Sequence, residues 1–306
     1  MPDDALKERV RQFWNQQSCD TQVAASAKFS REYFEEIETF RYRDQPFIHS
    51  FAQFTRYRGR KVLEVGFGAG TDFIQWLRAG ALASGIDLTP EALENLRRRI
   101  EIYQLPKPER IGVGDAENLP FPADSFDLGY SFGVLHHSPD TVKAIEELVR
   151  VIRPGGELKM MLYNRRSIYA VNQWIKHALL KGRPWTSIAR VIFNHMESLG
   201  TKAYTRHELQ HMLSRLPLAN IQIHTEITSA DYLSASAFPP LRFCNRFLLK
   251  WGGYVQDWMA MEYVERGATP KSSTRRVKVR FTGNPFGFFN CITAVKSAVP
   301  AGAPGS

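Results

Sequence analysis

Three glycines spaced two residues apart, Gly66, Gly68 and Gly70, follow a short apolar run that contains Glu64. Because glycine lacks a Cβ atom, such a loop can turn sharply and let a ligand lie against its backbone. The apolar run, 61–65, is typical of a strand buried on both faces. The residues after the loop predict a helix whose first amides face the ligand. A strand, a glycine loop and a helix in this order predict a nucleotide-binding unit.

The spacing of the glycines bears on which nucleotide binds. Dinucleotide-binding loops follow G-x-G-x-x-G and hold a pyrophosphate at the start of a helix, whereas here the third glycine comes one residue early. The G-x-G-x-G form behind an acidic strand residue suits a ligand without a phosphate, such as S-adenosylmethionine. Asp87, at the end of the next predicted strand, could bind the ribose hydroxyls of either cofactor. That position alone therefore leaves both nucleotides open.

Three further runs complete a recognisable pattern: 114–121 (GDAENLPF), 125–137 (SFDLGYSFGVLHH) and 148–157 (LVRVIRPGGE). With the glycine loop, residues 60–163 resemble the class I S-adenosylmethionine-dependent methyltransferases, in the branch of ubiquinone/menaquinone-biosynthesis and small-molecule enzymes. The resemblance implies an α/β fold with a Rossmann-like, doubly wound, seven-stranded sheet whose last strand is antiparallel. It also implies S-adenosyl-L-methionine as the cofactor and S-adenosyl-L-homocysteine as the product.

The predicted cofactor residues share one placement, at the carboxyl ends of predicted parallel strands, where such sheets bind ligands. By the resemblance, Asp115 would accept a hydrogen bond from the adenine amino group, and Ala116 would offer its backbone amide to the ring. Glu64 would orient the amino-acid end of the cofactor, although a strand-end carboxylate can also simply cap loop amides. The full predicted set is Glu64, Gly66, Gly68, Gly70, Asp87, Leu88, Asp115, Ala116 and Ser131.

The predicted catalytic residues follow from the chemistry of the cofactor. A sulfonium methyl group is already electrophilic, so its transfer needs proximity and alignment above all. A general base is needed only when the acceptor arrives protonated. By the resemblance, a histidine after the fourth strand, His136 or His137, would be that base, and a purely structural role for the pair is the alternative. Tyr163, at the end of the fifth predicted strand, is the third catalytic candidate.

Substrate contacts are predicted from both sides of the cofactor unit, because N-terminal helices and the segment after the fifth strand hold substrate sites in the resembled enzymes. A packing role is the alternative for each of these side chains. No spacing of histidine, cysteine or acidic residues matches a metal site, so none is predicted. The predicted substrate residues are Tyr33, Tyr42, Arg43, Asn164, Arg165, His195 and Glu197.

Strands and helices are predicted to alternate over 61–163, which implies a parallel sheet covered by helices on both faces. Residues 164–200 predict two helical pieces around 182–184. Thr205-Arg206-His207-Glu208 predicts a capping box at the start of the next helix. A sixth strand at 221–227 and a last strand at 288–295 would complete the sheet.

This pattern divides the chain into a core and additions. Residues 1–58 are predicted to be a helical cap, and 59–230 with 286–297 the cofactor-binding core, which carries the helical insertion at about 164–200. Residues 231–285 are rich in large apolar side chains with interleaved arginine and lysine. They are predicted to form a lid over the acceptor. The alternatives are docking on an anionic membrane and packing of the apolar face on the fold as an extra helix pair. The tail, 298–306, is predicted to be disordered.

Positive charge is concentrated in the second half of the chain. The 306 residues have a net charge of +9. Residues 1–163 carry 21 Lys or Arg and 24 Asp or Glu, whereas 164–306 carry 19 and 7. Such asymmetry predicts an anionic partner, although a solvated basic surface explains it as well. The predicted function is methyl transfer to a small organic acceptor, amphipathic or anionic, such as a specialised metabolite, a lipid or a quinone precursor.

Other classes of function stay open at this point. An RNA-directed methyltransferase would explain the basic half, and a lipid methyltransferase working at a membrane surface would explain the basic apolar segments. Enzymes that methylate exocyclic base amines carry an Asn/Asp-Pro-Pro-aromatic motif where this chain has Tyr130-Ser131-Phe132-Gly133. No nucleic-acid partner is therefore expected. A non-catalytic cofactor-binding protein would have lost the glycine loop or the acidic residues, and neither is lost.

The cellular location is predicted from what the sequence lacks. No signal-peptide pattern and no run of eighteen apolar residues is present. The three cysteines, Cys19, Cys244 and Cys291, are far apart and odd in number, which is typical of a reducing compartment. A cytoplasmic enzyme is expected. The oligomeric state is left open, with a homodimer as one option.

Overall fold

A computed structural model describes residues 2–16, 18–228, 231 and 279–298. Residues 232–278, which make up most of the predicted lid, lie outside the described residues, as does the predicted tail beyond residue 298. Across the described ranges, no helix combines the length and the apolarity needed to cross a bilayer.

The described strands form one sheet. Their bounds are β1 (Lys61–Val65), β2 (Leu82–Asp87), β3 (Arg110–Val113), β4 (Phe126–Phe132), β5 (Ile152–Tyr163), β6 (Leu218–Glu226), β7 (Val279–Gly283) and β8 (Phe289–Lys296). The order across the sheet is β3-β2-β1-β4-β5-β8-β6-β7. Strands β1 to β5 pair in parallel, and β8 runs antiparallel to β5 and β6. The prediction of an antiparallel last strand is confirmed.

The strand count differs from the prediction, because eight strands are described where seven were expected. The additional strand is β7, which pairs in parallel with the edge strand β6. It lies inside the segment 231–285 that the sequence predicts to be an insertion. Its five residues are too few for their alternation to stand out beside the basic run before them.

The helices cover the two faces of the sheet. Their bounds are α1 (Pro2–Gln16), α2 (Arg31–Asp44), α3 (Ile48–Ala52), α4 (Phe73–Arg78), α5 (Pro90–Ile102), α6 (Thr141–Val151), α7 (Ile168–His177), α8 (Ile188–His195) and α9 (Arg206–Leu213). The predicted capping box is confirmed, since the Thr205 hydroxyl and the Glu208 carboxylate each accept from the other residue's backbone amide. The predicted helix pair around residue 182 is also confirmed.

Alternation along the strands divides the core into two layers. In β1, Val62 belongs to a cluster that includes side chains of α4 and α5, and the adjacent Leu63 belongs to a cluster that includes side chains of α6 and α9. A smaller cluster joins Phe34 and Ile37 of α2 to Ala69 of the glycine loop. The N-terminal cap is therefore packed on the loop that is predicted to hold the cofactor.

The glycine loop needs glycine for a steric reason. Gly66 has a φ of +80°, and a Cβ atom there would lie 2.2 Å from the Val134 side chain. Val134 belongs to the loop after β4, so the glycine lets two strand ends approach each other. The carboxyl ends of β1, β2 and β4 consequently face one shared space.

Candidate functional site

A cavity lies at the carboxyl ends of β1, β2 and β4. Helix α1, residues 18–20 and Arg41 of α2 line its other side. Of the predicted cofactor residues, Gly70 and Ser131 do not line it: Ser131 is fully buried, and its hydroxyl donates to the Val65 carbonyl at 2.9 Å. The predicted residues that line the cavity are Glu64, Gly66, Gly68, Asp87, Leu88, Asp115 and Ala116.

Asp87 ties the glycine loop to the end of β2. Its Oδ2 accepts from the Gly68 amide at 2.9 Å, and its Oδ1 accepts from the amide and the hydroxyl of Thr89, each at 3.0 Å. Burial raises the pKa of Asp87, while the backbone amides of Gly68 and Thr89 favour the carboxylate. Asp87 lines the cavity, so its carboxylate can be reached by a ligand there.

Glu64 is a buried carboxyl group on the floor of the cavity. Its Oε2 accepts from the Trp76 indole nitrogen at 2.7 Å, so its described partner is a side chain of α4 and not the amides of the glycine loop. Burial, together with the nearby charge of Asp72, raises the pKa of Glu64 well above its usual value. A positively charged ligand in the cavity would reverse that effect and favour the carboxylate.

A second acidic side chain beside Glu64 was not predicted from the sequence. Arg41 holds Asp72 with two hydrogen bonds, from Nε at 3.0 Å and from Nη2 at 2.7 Å. The Tyr130 hydroxyl donates to the same carboxylate at 3.0 Å. Burial alone raises the pKa of Asp72, but the attraction of Arg41 outweighs it, and the pKa is lowered. Arg41 and Asp72 both line the cavity.

Helix α1 closes the cavity at the predicted adenine end. Lys7 lies on α1 and contacts Asp115 at 2.7 Å and Glu117 at 2.6 Å. The other carboxylate oxygen of Asp115 accepts from the Glu117 amide at 2.9 Å. Asp115 is thus fixed in place, with its side chain still one-third exposed.

Three predicted residues meet at the opposite end of the cavity. The Tyr163 hydroxyl lies 3.0 Å from both carboxylate oxygens of Glu197. The Nε2 atom of His137 lies 3.2 Å from Glu197 Oε2, at ion-pair distance but not aligned for a hydrogen bond. All three side chains line the cavity, and the Trp14 ring of α1 stands edge-on to His137 with centroids 5.1 Å apart. We refer to His137, Tyr163 and Glu197 as the acceptor-end cluster.

The hydrogen bonds of His137 restrict where its proton sits. Nδ1 lies 3.0 Å from the hydroxyls of both Ser198 and Thr201. Thr201 donates its hydroxyl proton to the Ser198 carbonyl at 2.6 Å, so it can only accept from Nδ1. If Nδ1 carries the proton, Nε2 offers a lone pair toward Glu197; if Ser198 donates to Nδ1, Nε2 carries the proton instead. In the first tautomer the free acceptor is Nε2, and in the second it is the Glu197 carboxylate.

His136 differs from its neighbour. It is fully buried, it does not line the cavity, and neither ring nitrogen has a hydrogen-bond partner in the part of the chain that the structure describes. Burial lowers the pKa of His136 well below its usual value, so the ring is neutral. Its ring packs on Tyr163 with centroids 3.9 Å apart. His136, His137 and Glu197 offer ligand atoms within 4.8 Å of one another, so a small shift of these side chains could enclose a divalent cation.

The predicted N-terminal substrate residues do not line the cavity. Tyr33 is buried, and its hydroxyl lies 3.4 Å from Asn95. The Tyr42 hydroxyl donates to Asp72 at 3.1 Å from behind the cavity wall. Arg43 is exposed, and its guanidinium covers the Phe40 ring. Helix α2 thus reaches the cavity through Arg41 and not through Arg43.

Of the predicted substrate residues after β5, only Glu197 lines the cavity. The Asn164 amide donates to two backbone carbonyls of the segment before β8, at 2.9 and 2.8 Å. Arg165 pairs with Glu208. His195 lies on the surface, stacked on His177 with centroids 4.4 Å apart. Asn164 and Arg165 therefore connect segments next to the cavity and do not line it.

Comparisons with known proteins agree with this architecture. Residues 63–160 match the family described as "Methyltransferase domain". The chain is similar to a phthiotriol/phenolphthiotriol dimycocerosates methyltransferase of Mycobacterium leprae, 37% identical over 112 residues, 36% of this chain and 40% of that protein. It is also similar to a 2-methyl-6-phytyl-1,4-hydroquinone methyltransferase of Synechocystis, 34% identical over 137 residues, 42% of each chain. The chain thus spans less than half the length of these two curated relatives.

A solved structure extends the likeness in fold to nearly the whole chain. Magnesium protoporphyrin IX methyltransferase from Synechocystis, solved with bound SAH, superposes with a TM-score of 0.55 at 13% identity, over 95% of this chain and 100% of that one. At that identity the superposition shows the fold alone. The family match and the curated relatives agree with each other: residues 63–160 of this chain match a methyltransferase domain, and both curated relatives are methyltransferases.

Proposed function

We propose that this chain transfers a methyl group from S-adenosylmethionine to a small lipid, quinone or other metabolite whose reacting atom lies at the acceptor-end cluster. One observation carries the proposal. One cavity is lined at one end by seven predicted cofactor residues, and at the other by His137, Tyr163 and Glu197, of which His137 and Glu197 are side chains that can accept a proton. Methyl transfer to a protonated acceptor needs these two functions side by side.

The charges of the cavity support an orientation for the cofactor. The amino-acid end of S-adenosylmethionine carries an ammonium group and a carboxylate, which match Glu64 and Arg41. In this orientation Asp87 accepts from the ribose hydroxyls, and Asp115 accepts from the adenine amino group. A cofactor held by these residues would supply its electrophilic methyl group to an acceptor at the acceptor-end cluster, which includes His137.

The proposed reaction is a displacement at the methyl carbon. The acceptor atom attacks the carbon as the carbon–sulfur bond breaks, and the sulfonium becomes the neutral thioether of S-adenosylhomocysteine. The acceptor's proton passes to the pair formed by His137 Nε2 and Glu197, which returns it to solvent after product leaves. Burial, followed by the charge of Glu197, raises the pKa of Tyr163 well above its usual value, so Tyr163 keeps its proton and holds Glu197 in place.

The acceptor class rests on the walls of the cavity and on the relatives. Aromatic and aliphatic side chains line the acceptor end: Val10, Trp14, Phe132, Met161 and Phe289. Both curated relatives are named for acceptors with a large apolar body and an oxygen-bearing group. We therefore propose an amphipathic acceptor. The basic second half of the chain favours an anionic group on it.

The proposal is tested by separating binding from turnover. Wild-type protein should bind S-adenosylhomocysteine in calorimetry and methylate an alkylated hydroquinone or a related amphipathic alcohol with labelled S-adenosylmethionine. His137→Asn should bind S-adenosylhomocysteine as the wild type does, while its turnover falls by about 10²–10⁴-fold, the usual contribution of a general base. His195→Asn, a histidine on the surface, is the matched control and should behave as wild type.

Two results would contradict this assignment. Failure of the wild-type protein to bind S-adenosylhomocysteine would remove the cofactor from the proposal. Loss of turnover with a chelator, restored by a divalent cation, would assign His136, His137 and Glu197 to a metal instead of to proton transfer.

A further inference from the structure

The turn between α7 and α8 presents large apolar side chains to solvent. Residues 179–185 read Leu-Leu-Lys-Gly-Arg-Pro-Trp, and every one of them is exposed. Leu179 is 44% exposed, Leu180 77% and Trp185 80%. Single exposed apolar residues are ordinary, but three within seven residues form a patch, and patches mark interaction sites. We call residues 179–185 the apolar tip.

The apolar tip stands in a segment with one sign of charge. Residues 164–196 contain six Lys or Arg and no Asp or Glu. Lys181 and Arg183 lie on the tip itself and are exposed, as are Lys176 on α7 and Arg190 on α8. Among the described residues, no carboxylate lies within ion-pair distance of these four side chains. Their charge is therefore available to an anionic partner.

The apolar tip is held in one shape. The amides of Lys181 and Arg183 both donate to the Ala178 carbonyl, at 3.1 and 2.9 Å. Gly182 takes the left-handed conformation, with a φ of +68°. The Trp174 indole nitrogen on α7 donates to the Thr186 carbonyl at 2.6 Å, which fastens the two arms of the hairpin. The exposed side chains thus project from an ordered turn that needs no rearrangement to meet a surface.

We infer that the apolar tip docks this protein on an anionic lipid surface, with Leu179, Leu180 and Trp185 entering the interface. Tryptophan favours the headgroup level of a bilayer and aliphatic side chains the acyl boundary below it. Lys181 and Arg183 are then placed to pair with anionic headgroups. Nucleic acid is a poorer match, because leucine side chains neither stack on bases nor pair with phosphates.

The position of α7, the apolar tip and α8 relative to the cavity suggests how docking would serve the reaction. This step rests on the proposed function. Residues 164–196 leave the core at Tyr163 and return at Glu197, and these two side chains contact each other in the acceptor-end cluster at 3.0 Å. Both ends of residues 164–196 therefore adjoin the acceptor-end cluster, where the acceptor is proposed to react. An amphipathic acceptor drawn from the lipid surface would meet the protein beside its site.

Co-sedimentation of the full chain with vesicles tests the inference. Wild-type protein should sediment with phosphatidylcholine vesicles that contain phosphatidylglycerol, less with pure phosphatidylcholine, and less as salt increases. Leu180→Ser/Trp185→Ser and Lys181→Glu/Arg183→Glu should each weaken sedimentation by about tenfold or more. Two control pairs should match wild type: Leu82→Ser/Val142→Ser, exposed apolar residues elsewhere, and Arg97→Glu/Lys107→Glu, exposed basic residues elsewhere.

Four outcomes would overturn the inference. Wild-type protein that does not sediment with anionic vesicles, or apolar-tip variants that sediment like wild type, would exclude docking by this turn. Loss of binding to a single-stranded RNA oligonucleotide in Lys181→Glu/Arg183→Glu, without vesicle binding by the wild type, would assign the charge to nucleic acid. A change of oligomeric state in Leu180→Ser/Trp185→Ser would assign the patch to a second copy of the chain.

Failure of docking and failure of the proposed reaction are distinguishable. Calorimetry with S-adenosylhomocysteine and turnover of a water-soluble acceptor measure the cavity alone, and both should be unchanged in all of the apolar-tip variants.

Discussion

The two ends of the cavity are built in different ways. At the cofactor end, Glu64 and Asp87 lie at the carboxyl ends of β1 and β2, Asp115 follows β3, and all three accept from nearby backbone or indole donors. At the acceptor end, His137, Tyr163 and Glu197 come from separate segments, and Glu197 follows α8 of the helical insertion. The positions of the first set of residues follow mainly from the strands of the sheet. The second set depends on how the additions to the sheet are packed.

The difference extends to protonation. At the cofactor end, Glu64 is buried and its pKa is raised until a cation arrives, whereas Asp72 beside it is kept ionised by Arg41. At the acceptor end, Nε2 of His137 faces a carboxylate across 3.2 Å with a neutral His136 behind it. Under the proposed function, one end would receive the positive charge of the cofactor and the other the proton of the acceptor.

The largest effect should come from removing Arg41, which would show how far the cofactor end depends on the cap. Arg41→Ala leaves the buried carboxylate of Asp72 unpaired, and breaking a buried pair costs about 3–5 kcal/mol in free energy of unfolding. Arg43→Ala, two residues further along α2 and exposed, is the control and should change it by about 0.5 kcal/mol or less. Urea denaturation measures both. Equal losses in the two variants would contradict the assignment of Arg41 to the site.

A smaller loss should follow from crowding the glycine loop. Gly66→Ala places a methyl group against Val134 and keeps a φ of +80°; overpacking of this kind costs about 1–3 kcal/mol. We expect a lower melting temperature and weaker binding of S-adenosylhomocysteine. Gly112→Ala, where a Cβ atom meets nothing within 4 Å, should be neutral in both. A Gly66→Ala protein with wild-type cofactor affinity would mean that the loop does not approach the ligand.

A third prediction concerns the proton on Glu64. Burial raises the pKa of Glu64 in the folded state, so the stabilising effect of its protonated form is present at low pH. That effect is lost as the pH rises from the usual glutamate range through the raised pKa. Binding of the cofactor's ammonium favours the carboxylate, so association should release a proton. Calorimetry of S-adenosylmethionine in two buffers of different ionisation enthalpy measures the release, and Glu64→Gln should abolish it.

The smallest effect is expected at the contact between α1 and the adenine end. Lys7 is partly exposed and pairs with Asp115 and Glu117, and such pairs contribute about 1 kcal/mol or less. Lys7→Ala should leave the melting temperature within a few degrees of wild type but speed release of S-adenosylhomocysteine in stopped-flow measurements. Lys107→Ala is a solvent-facing control. Unchanged release would mean that α1 does not retain the cofactor.

The cofactor end could be predicted from sequence because its signals are local. Glu64, Asp87 and Asp115 are each recognisable from the apolar run before them and the glycine beside or near them. Arg41 was missed, and Arg43 predicted in its place, because the outcome depends on which face of α2 is buried. A usable signal was present: Phe34, Ile37 and Arg41 follow the three- and four-residue spacing of one helix face, and that face is the buried one.

The acceptor end was predicted only as a collection of candidates. His137, Tyr163 and Glu197 were all named, but nothing local brings Tyr163 and Glu197 together across the helical insertion. Contacts between segments this far apart depend on tertiary packing, which a single sequence does not specify. For the same reason the contacts of α1 with Asp115 and His137 could not be foreseen from the residues of α1.

Helix α1 contacts both ends of the cavity, so binding at the cofactor end and binding at the acceptor end are coupled through it. Lys7 contacts Asp115 and Trp14 contacts His137, and these two positions, seven residues apart along α1, are separated by about 10 Å of helix. Because the helix is rigid over this length, a displacement of α1 that breaks the Lys7 contact would also weaken the Trp14 contact. Release of the cofactor and of the acceptor would then both require α1 to move. Each ligand would raise the affinity of the protein for the other by the same factor, since such coupling is reciprocal.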